Sequence, residues 1–283
     1  MASSRKSKPN SVDSLEATVG AALSPLLFPG ARLALGLSGG LDSVVLLEVL
    51  RRLAGPLRFR LSCVHVNHNL SPNAGRWAAF CARRCKRYDI ALALHEVDVE
   101  PYRAEGVEAA ARRARYQVYA GQDKADFIVL AQHLDDQAET LLLQLLRGAG
   151  VKGGAAMPLM REQDSDKKAK SARAPAILRP MLAVSRKQIE AYAKANQLKW
   201  VEDESNADTR HDRNFLRHRV LPVIGRAFPG YRTTLARAAG HLAEADEVLS
   251  ELARADAQQI VLGNKLAVAG LKRLGTARAK NLL

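Results

Sequence analysis

Cysteines and aromatic residues are scarce in this sequence, and a long apolar run is absent. Three cysteines among 283 residues are too few for a disulfide scaffold, which predicts a reducing compartment. No segment reaches the roughly 20 apolar residues that span a bilayer. An apolar stretch at residues 19–28 follows a basic N-terminus, but Pro25 interrupts it, which is untypical of a signal peptide. We therefore expect a cytoplasmic protein with no membrane partner.

The spacing of the cysteines also argues against a zinc site. Cys81 and Cys85 lie four residues apart in a stretch with helical periodicity, and Cys63 lies in a strand-like run. Two ligands at that spacing cannot complete tetrahedral coordination by themselves. We interpret Cys81 and Cys85 as packing residues.

Negative charge is in deficit. The 43 lysines and arginines outnumber the 29 aspartates and glutamates, which gives a formal net charge of +14. Such an excess favours a polyanionic partner, because each neutralised phosphate releases counterions. Nucleic acid is the expected partner, and the alternative is a basic protein without one.

Apolar periodicity alternates between short strand-like runs and longer helical ones. The strand-like runs are residues 32–37, 58–66, 90–97 and 127–131. The helical runs are residues 42–54, 74–88, 107–122 and 135–147. This alternation predicts an α/β fold, a doubly wound and mostly parallel sheet with helices on both faces, followed by a helical segment. Ligands bind beyond the carboxyl ends of the strands in such sheets, so the loops there are the informative ones.

The strongest motif follows the first predicted strand and opens the first predicted helix. Two glycines let backbone N–H groups approach an anion closely, two hydroxyls add donors, and the helix dipole adds positive charge. The motif lacks the lysine of a Walker loop and does not fit the dinucleotide fingerprint. It comprises Ser38, Gly39, Gly40, Leu41, Asp42 and Ser43. We interpret it as a phosphate-binding loop rather than a glycine-rich strand end.

Asp42 is an unexpected charge within such a loop. A carboxylate beside phosphates would repel them by about 1–4 kcal/mol at surface-like dielectric. A bridging Mg²⁺ would remove this conflict. Capping of the helix by Asp42 is the alternative, and the sequence leaves both open.

Two more motifs carry histidines and arginines. Residues 65–70 read HVNHNL and end the second predicted strand. His65 and His68 point to opposite faces of an extended chain, so a shared metal is not expected. Arg112 and Arg115 share a helical face with Glu108, which fits either a salt-bridge ladder or a guanidinium fork for phosphate.

Acidic residues cluster where the fourth predicted strand passes into a helix. His133 is followed by Asp135, Asp136 and Glu139, and the three acids share one helical face. Like charges at this spacing destabilise a helix by about 0.2–0.5 kcal/mol per pair, which the helix dipole offsets only in part. A bound cation would supply the rest, and ordinary capping of the helix N-terminus is the alternative.

A fifth pattern, at residues 200–206 and 213–217, mixes acidic, basic and aromatic residues. It reads WVEDESN followed by RNFLR. The pattern by itself does not separate RNA contact from a network that closes two domains.

Taken together, these motifs resemble the tRNA(Ile)-lysidine synthetase family of PP-loop ATP pyrophosphatases. The resemblance runs from about residue 33 to residue 222 and includes SGGLDS, HVNHNL, GVEAAARRARY, AQHLDDQAET with RGAG at residues 147–150, RPML at residues 179–182, WVEDESN and RNFLR. It implies that ATP activates the C2 carbonyl of the wobble cytidine in the CAU anticodon of an isoleucine tRNA, with release of pyrophosphate. The amine of L-lysine would then displace AMP and form lysidine.

The same resemblance implies a catalytic set at the carboxyl ends of the strands. Its members are Asp42, Arg112, Arg115, His133, Asp136 and Glu139. The arginines would hold the base or phosphates, the acids of the helix would bind lysine, and residues 38–43 would bind ATP with Mg²⁺. Gln132 departs from the family, in which a second histidine often stands at this position.

The chain is expected to divide into three parts. Residues 1–30 would form a basic tail and a short helix, and residues 31–225 the PP-loop ATP-binding catalytic domain. Residues 226–283 would form the helical start of a tRNA- or substrate-binding domain. Residues 161–175, polar and low in complexity, would form a flexible loop within the second part.

Two other functions remain open at this point. A tRNA thiolase of the same superfamily would need cysteines for sulfur transfer or an iron–sulfur cluster, and Cys81 and Cys85 do not have the C-x-x-C spacing. A non-catalytic RNA-binding protein would not need the phosphate loop with its flanking acids.

Overall fold

The structure is a computed structural model and describes residues 11–163, 174–204, 208–263 and 265–283. The predicted strands and helices are present, with bounds that differ by a few residues. The strands are β1 (Arg32–Gly36), β2 (Arg60–Asn67), β3 (Leu92–Glu96), β4 (Phe127–Val129), β5 (Met160–Arg161), β6 (Ala176–Leu178), β7 (Val261–Leu262) and β8 (Lys265–Leu266). The helices are α1 (Ser11–Leu23), α2 (Leu41–Leu53), α3 (Ala74–Arg87), α4 (Val107–Ala120), α5 (Leu134–Leu146), α6 (Val151–Gly154), α7 (Arg186–Ala195), α8 (Asp212–Phe215), α9 (Leu221–Ala227), α10 (Tyr231–Ile260), α11 (Val268–Arg273) and α12 (Thr276–Leu282). A 3₁₀-helix occupies Glu100–Glu105, and a π-helical turn occupies Leu216–Val220.

Six strands form the main sheet, in the order β3-β2-β1-β4-β6-β5. The pairs from β3 to β6 are parallel, and the edge strand β5 runs antiparallel to β6. The predicted doubly wound, mostly parallel fold is thereby confirmed. Of the loop predicted at residues 161–175, Arg161 belongs to β5, and residues 164–173 lie outside the described part of the chain.

The order of the strands places a ligand crevice beside β1. The chain runs outward from β1 to β2 and β3, and then returns to the other side of β1 with β4. Such a reversal opens a crevice at the carboxyl ends of the two strands that flank it. The loop at residues 38–43 follows β1, and the segment that begins at Gln132 follows β4. Both predicted motifs therefore lie at this crevice.

Alternate residues of the strands face two different layers of helices. Leu33 and Leu35 of β1 are fully buried in one core cluster with residues of α1, α2, α3 and α7. Ala34 belongs to a second cluster, with Ile128 of β4 and Tyr119 of α4. This alternation follows from the two-residue period of a strand that is covered on both faces. Each buried leucine contributes about 1.5–3 kcal/mol to the stability of the sheet.

The three cysteines lie in the first of these clusters. Cys63 of β2 and Cys81 and Cys85 of α3 are at most 2% exposed. Burial raises the pKa of the Cys81 thiol to about 12, so this thiol stays protonated at neutral pH. The interpretation of Cys81 and Cys85 as packing residues is confirmed.

The chain forms two compact units whose bounds differ from those of the predicted domains. The first comprises Met1–Asp136 and Leu159–Asp208, and the second comprises Gln137–Pro158 and Thr209–Leu283. Helix α1 was expected outside the α/β domain, yet its apolar face is buried in the first core cluster. The predicted boundaries after residues 30 and 225 therefore do not coincide with this division.

The second unit is built from helices and a short hairpin of β7 and β8. Ala138 of α5, Leu221 of α9 and Tyr231 of α10 form its buried cluster. Helix α6 packs closely on α10, because a Cβ placed on Gly154 would lie 2.7 Å from Cδ1 of Leu242. In the described part of the chain, no helix is both long and apolar enough to cross a membrane.

We predict that Gly36→Ala destabilises the protein. A Cβ at this last residue of β1 would lie 2.6 Å from Oη of Tyr119 and 2.9 Å from Cδ2 of Leu130. Overpacking of this kind costs about 1–3 kcal/mol. Gly240→Ala is the matched control, because nothing lies within 4 Å of its Cβ position and alanine favours the helix by up to about 1 kcal/mol. Urea denaturation gives the unfolding midpoint of each variant. Equal midpoints for Gly36→Ala and Gly240→Ala would contradict the prediction.

Candidate active site

The loop between β1 and α2 is shaped by a glycine whose backbone conformation and close neighbours disfavour a side chain. Gly39 has a φ of +89°, and a Cβ there would lie 3.0 Å from Cγ2 of Val201 and 3.1 Å from Sγ of Cys81. The backbone N–H of Val201 donates to the carbonyl of Gly39 at 3.0 Å. The loop is thus clamped between α3 and the segment that follows α7.

Two serines hold the loop from within. Oγ of Ser43 accepts the N–H of Gly39 at 3.2 Å and donates to the carbonyl of Gly40 at 2.9 Å. Oγ of Ser38 accepts the N–H of Gly40 at 3.3 Å and lies 3.1 Å from Oγ of Ser43. The N–H groups of the first turn of α2 have no partner within the helix. These donors and the hydroxyls make the loop suited to an anion such as phosphate.

Asp42 lies in the first turn of α2 but is not its cap. The N-cap residue is Gly40, and no side chain makes the N-cap hydrogen bond. The carboxylate of Asp42 instead accepts two hydrogen bonds from Nη1 of Arg186, at 2.7 and 2.8 Å. Burial raises the pKa of Asp42, although His133 and Arg186 oppose this shift. The helix-cap alternative is therefore wrong, and a guanidinium of the protein accompanies the carboxylate.

His133 is the centre of a buried polar cluster at the carboxyl end of β4. Its Nε2 lies 3.7 Å from Oδ1 of Asp42 and 3.5 Å from Oδ2 of Asp136. Its Nδ1 lies 3.8 Å from Oδ2 of Asp135 and has no hydrogen-bond partner among the described residues. The residue is only 4% exposed. An imidazole among three carboxylates is well placed to exchange a proton with a ligand bound beside it.

Two aspartates hold the turn from β4 into α5. Oδ2 of Asp136 accepts the backbone N–H of His133 at 3.0 Å. Oδ2 of Asp135 accepts the backbone N–H of Arg186 at 2.8 Å, which fixes the start of α7 and brings its arginine to Asp42. Asp136 therefore bonds at the start of its own helix, α5, whereas Asp135 bonds at the start of α7.

Glu139 belongs to the second unit, and its carboxylate is hydrogen-bonded there to two arginine side chains. Oε2 accepts from Nε of Arg213 at 2.8 Å and from Nη2 of Arg217 at 2.8 Å. Oε1 accepts from Nε of Arg217 at 2.6 Å, and Glu139 is 2% exposed. The RNFLR segment thus supplies positive charge to this acid. Binding of lysine by Glu139 stays a prediction, and a lysine ammonium would compete there with two guanidiniums.

The two histidines of the HVNHNL segment have different partners. Nδ1 of His65 lies 2.8 Å from the carbonyl oxygen of Leu37, at the start of the phosphate loop. Nε2 of His68 lies 3.3 Å from Nε and 3.2 Å from Nη2 of Arg115. Burial, and to a lesser extent Arg115, lowers the pKa of His68 to about 4. His68 is therefore a neutral acceptor that orients Arg115.

Arg112 contacts an aromatic ring. Its Cζ lies 4.8 Å from the ring centroid of Tyr116, and its Nη2 donates to the Tyr116 hydroxyl at 3.2 Å. Within the described part of the chain, neither Arg112 nor Arg115 forms an ion pair with Glu108. The salt-bridge ladder is thus not the arrangement found, and both guanidiniums are exposed to solvent.

The WVEDESN segment packs against the phosphate loop and α3 in the first unit. Val201 binds Gly39, as described above, and Glu204 accepts a hydrogen bond from Asn73 at the start of α3. Nη2 of Arg84 donates to the carbonyl of Lys199 at 2.6 Å. The end of the motif, residues 205–206, lies outside the described residues. This segment therefore supports the loop.

Two arginines that were not predicted as site residues also lie at this edge of the sheet. Arg186 is the first residue of α7, and Arg179 follows β6. A capping box marks the start of α7, but no local pattern pairs Arg186 with Asp42, 144 residues away. Arg179 is 2% exposed, and its Nε donates to Oε1 of Gln132 at 2.7 Å. Gln132, which departs from the family resemblance, thus has a structural partner.

The fold and the loop define an ATP-binding class of protein, and comparison with known families agrees. The profile of the PP-loop domain family matches residues 12–224, and the chain belongs to this family. Curated tRNA(Ile)-lysidine synthases from Nitrosomonas europaea and Chromobacterium violaceum are each 47% identical, over 255 and 250 residues. These matches cover 90% and 88% of this chain but 54% and 55% of the relatives. The chain therefore spans about half the length of the curated relatives it matches.

A solved structure also shares the fold. The U34-tRNA thiolase from Methanococcus maripaludis superposes with a TM-score of 0.65, over 83% of this chain and 80% of that chain. The two sequences are 18% identical, so this similarity concerns the fold alone.

We predict that His68 makes stability depend on pH. Its pKa is about 4 in the folded protein, against 6.5 ordinarily, so the unfolded chain binds more protons between these values. Stability should therefore fall as the pH falls from 6.5 towards 4. His68→Gln should flatten this part of the profile, and His241→Gln, at an exposed position of α10, should not. Denaturation midpoints across this range measure the effect. A variant that keeps the wild-type slope would refute it.

Proposed function

We propose that this chain carries the catalytic part of a tRNA(Ile)-lysidine synthase. The proposal rests chiefly on the phosphate loop at residues 38–43 with the cluster of Asp42, His133 and Asp136 beside it. Relatives of the chain carry that name. The reaction would adenylate C2 of the wobble cytidine in an isoleucine tRNA with a CAU anticodon, and then exchange AMP for L-lysine. Such an enzyme would meet its tRNA in the cytoplasm.

ATP would bind with its phosphates on the loop. The first-turn N–H groups of α2 and the helix dipole would hold the phosphate charge, with the hydroxyls of Ser38 and Ser43 at the same place. The cytidine O2 attacks the α-phosphorus, the bond to the bridging oxygen breaks, and pyrophosphate leaves with the electron pair. Arg112 and Arg115 are exposed nearby on α4 and are assigned to the phosphates or the base.

The residues present fit Mg²⁺ as a companion of ATP. Magnesium is usually held by one or two carboxylates together with substrate phosphates and waters. Asp42, in the first turn of α2 directly after the phosphate loop, is the carboxylate placed to serve in this way. Among the described residues, no three His, Cys, Asp or Glu side chains are arranged to hold a metal by themselves. Bound with ATP, Mg²⁺ would neutralise charge on the phosphates.

The second step joins the side-chain amine of lysine to C2 and releases AMP. The attacking nitrogen must be unprotonated, whereas a nearby carboxylate favours the charged form of an amine. We therefore assign the carboxylate of Asp136 to the α-ammonium of lysine. The imidazole of His133, whose Nε2 lies beside Asp42 and Asp136, is assigned to accept the proton of the attacking amine.

The cysteines make a tRNA thiolase the weaker alternative. Sulfur transfer needs an accessible thiolate or a cysteine-bound cluster. Cys63, Cys81 and Cys85 are at most 2% exposed in the core, and the pKa of Cys81 is raised by burial. A purely RNA-binding protein would release no pyrophosphate, so the assay below separates it as well.

The central test is formation of lysidine. The chain is incubated with ATP, Mg²⁺, labelled lysine and a tRNA transcript, and the digested RNA is searched for a lysine-bearing nucleoside. Asp42→Asn should lower tRNA-dependent pyrophosphate release at least about 100-fold, or roughly 3 kcal/mol of barrier. Asp123→Asn, at an exposed position before β4, should leave it unchanged.

Asp42→Asn should also remain folded. Burial raises the pKa of Asp42 above its usual value of 3.8, so stability falls as the pH rises through the raised pKa. The neutral side chain should therefore unfold no more easily than wild type at neutral pH. Full pyrophosphate release by this folded variant would exclude the assigned role of Asp42.

A separate prediction concerns lysine. Asp136→Asn should raise the KM for lysine by about ten- to a hundredfold, because a charge-assisted hydrogen bond contributes about 1.5–3 kcal/mol. Adenylation of tRNA without lysine should change little. Steady-state kinetics with each substrate varied in turn measures both. If the variant weakens ATP binding and leaves the lysine KM unchanged, Asp136 holds Mg²⁺ and not lysine.

A further inference from the structure

Three arginines surround one tyrosine in the first unit. Tyr116 and Arg112 lie on α4, Arg161 lies in β5, and Arg179 follows β6. The Cζ atoms of Arg112 and Arg161 lie 4.8 and 5.1 Å from the ring centroid of Tyr116. Arg179 is hydrogen-bonded to the Tyr116 side chain. We refer to these four residues as the arginine–tyrosine cluster.

Arg179 forms the buried base of this cluster. It is 2% exposed, and its Nε donates to Oε1 of Gln132 at 2.7 Å. Burial lowers the pKa of Arg179, as do the neighbouring charges of Arg161 and Arg112. A guanidinium is costly to bury unless its N–H donors are hydrogen-bonded. Gln132 and Tyr116 provide these bonds to Arg179.

Arg112 and Arg161 form the exposed side of the cluster. In the part of the chain that the structure describes, neither of them has an ion pair with a carboxylate. Both stay within about 5 Å of one ring, so their charges repel each other. Arg112 is further fixed by its bond to the Tyr116 hydroxyl. The fold thus keeps positive charges together, which a bound anion would stabilise.

We propose that the arginine–tyrosine cluster binds a phosphate group of the substrates. Guanidiniums recognise phosphate through paired N–H donors, and stacking on an aromatic ring fixes the plane of those donors. The proposal rests on the proposed function, which supplies two sources of phosphate: the backbone of the tRNA and the pyrophosphate of ATP. It assigns Arg161 and Tyr116 to substrate binding, with Arg179 as the positioning residue below them.

The test compares Arg161→Gln with Arg60→Gln. Both arginines are exposed, but Arg60 starts β2 at the opposite, amino-terminal edge of the sheet. The affinities for an anticodon stem-loop RNA and for inorganic pyrophosphate are measured at several salt concentrations. Arg161→Gln should weaken at least one of them about fivefold or more, and Arg60→Gln less than about twofold. Thermal unfolding of both variants shows whether they remain folded.

The two sources are distinguished by the probe that is affected. If RNA binding weakens, the salt slope should also fall by about 0.7–0.9, the value of one phosphate contact. If pyrophosphate binding weakens instead, the cluster holds the leaving group. Equal affinities of Arg161→Gln and Arg60→Gln for both probes would overturn the proposal, even if Arg161→Gln melts at a lower temperature.

The proposed function is judged separately, by lysidine formation with the wild-type chain. Tyr116→Phe gives a second reading of the cluster, since it keeps the ring and removes the hydroxyl that Arg112 contacts. Tyr116→Phe should lower the affinity for the same probe as Arg161→Gln does, by about twofold or more. If the wild type forms no lysidine but both variants lose affinity, the phosphate site stands and the assigned reaction falls.

Discussion

The candidate active site depends on the absence of a side chain at Gly39. The loop passes so close to Val201 and Cys81 that a Cβ would contact both tightly, and its φ of +89° suits glycine. Two stretches of chain that are far apart in sequence, α3 and the segment with Val201, are thereby packed against one turn. The serine hydroxyls and the N-terminus of α2 are held in place by this packing before any ligand arrives. Such preorganisation is what electrostatic catalysis requires of its donors.

The charged residues at the crevice form one connected group around His133. Asp42, Asp135 and Asp136 surround His133, and Arg186 joins two of them through its guanidinium and its backbone N–H. Burial works against the charged form of Asp42, so the cluster is less stable than an apolar one would be. Proteins commonly accept such a cost at functional sites. The proposed magnesium ion and lysine ammonium would bring positive charge to these carboxylates.

The partners of the arginines separate two kinds of role. The buried Glu139 accepts hydrogen bonds from Arg213 and Arg217 within the second unit. These bonds connect α5 to α8 and to the π-helical turn that follows it. Arg112 and Arg161 face a tyrosine ring and solvent. A guanidinium bound to a buried carboxylate stabilises the fold, whereas one held on an aromatic surface keeps its donors available for a ligand.

The sequence by itself determined the fold class, the positions of the first four strands and their helices, the phosphate loop and the packing role of Cys81 and Cys85. These features depend on local periodicity and on short motifs, which are legible along the chain. Only the tertiary structure decided that Arg186 accompanies Asp42, that Arg213 and Arg217 accompany Glu139, and that α1 belongs to the first core cluster. The arrangement of arginines around Tyr116 belongs with these. The reason is physical: a local pattern shows which residues carry charge, but the partner of a charge depends on contacts between distant segments, such as Asp42 and Arg186, 144 residues apart.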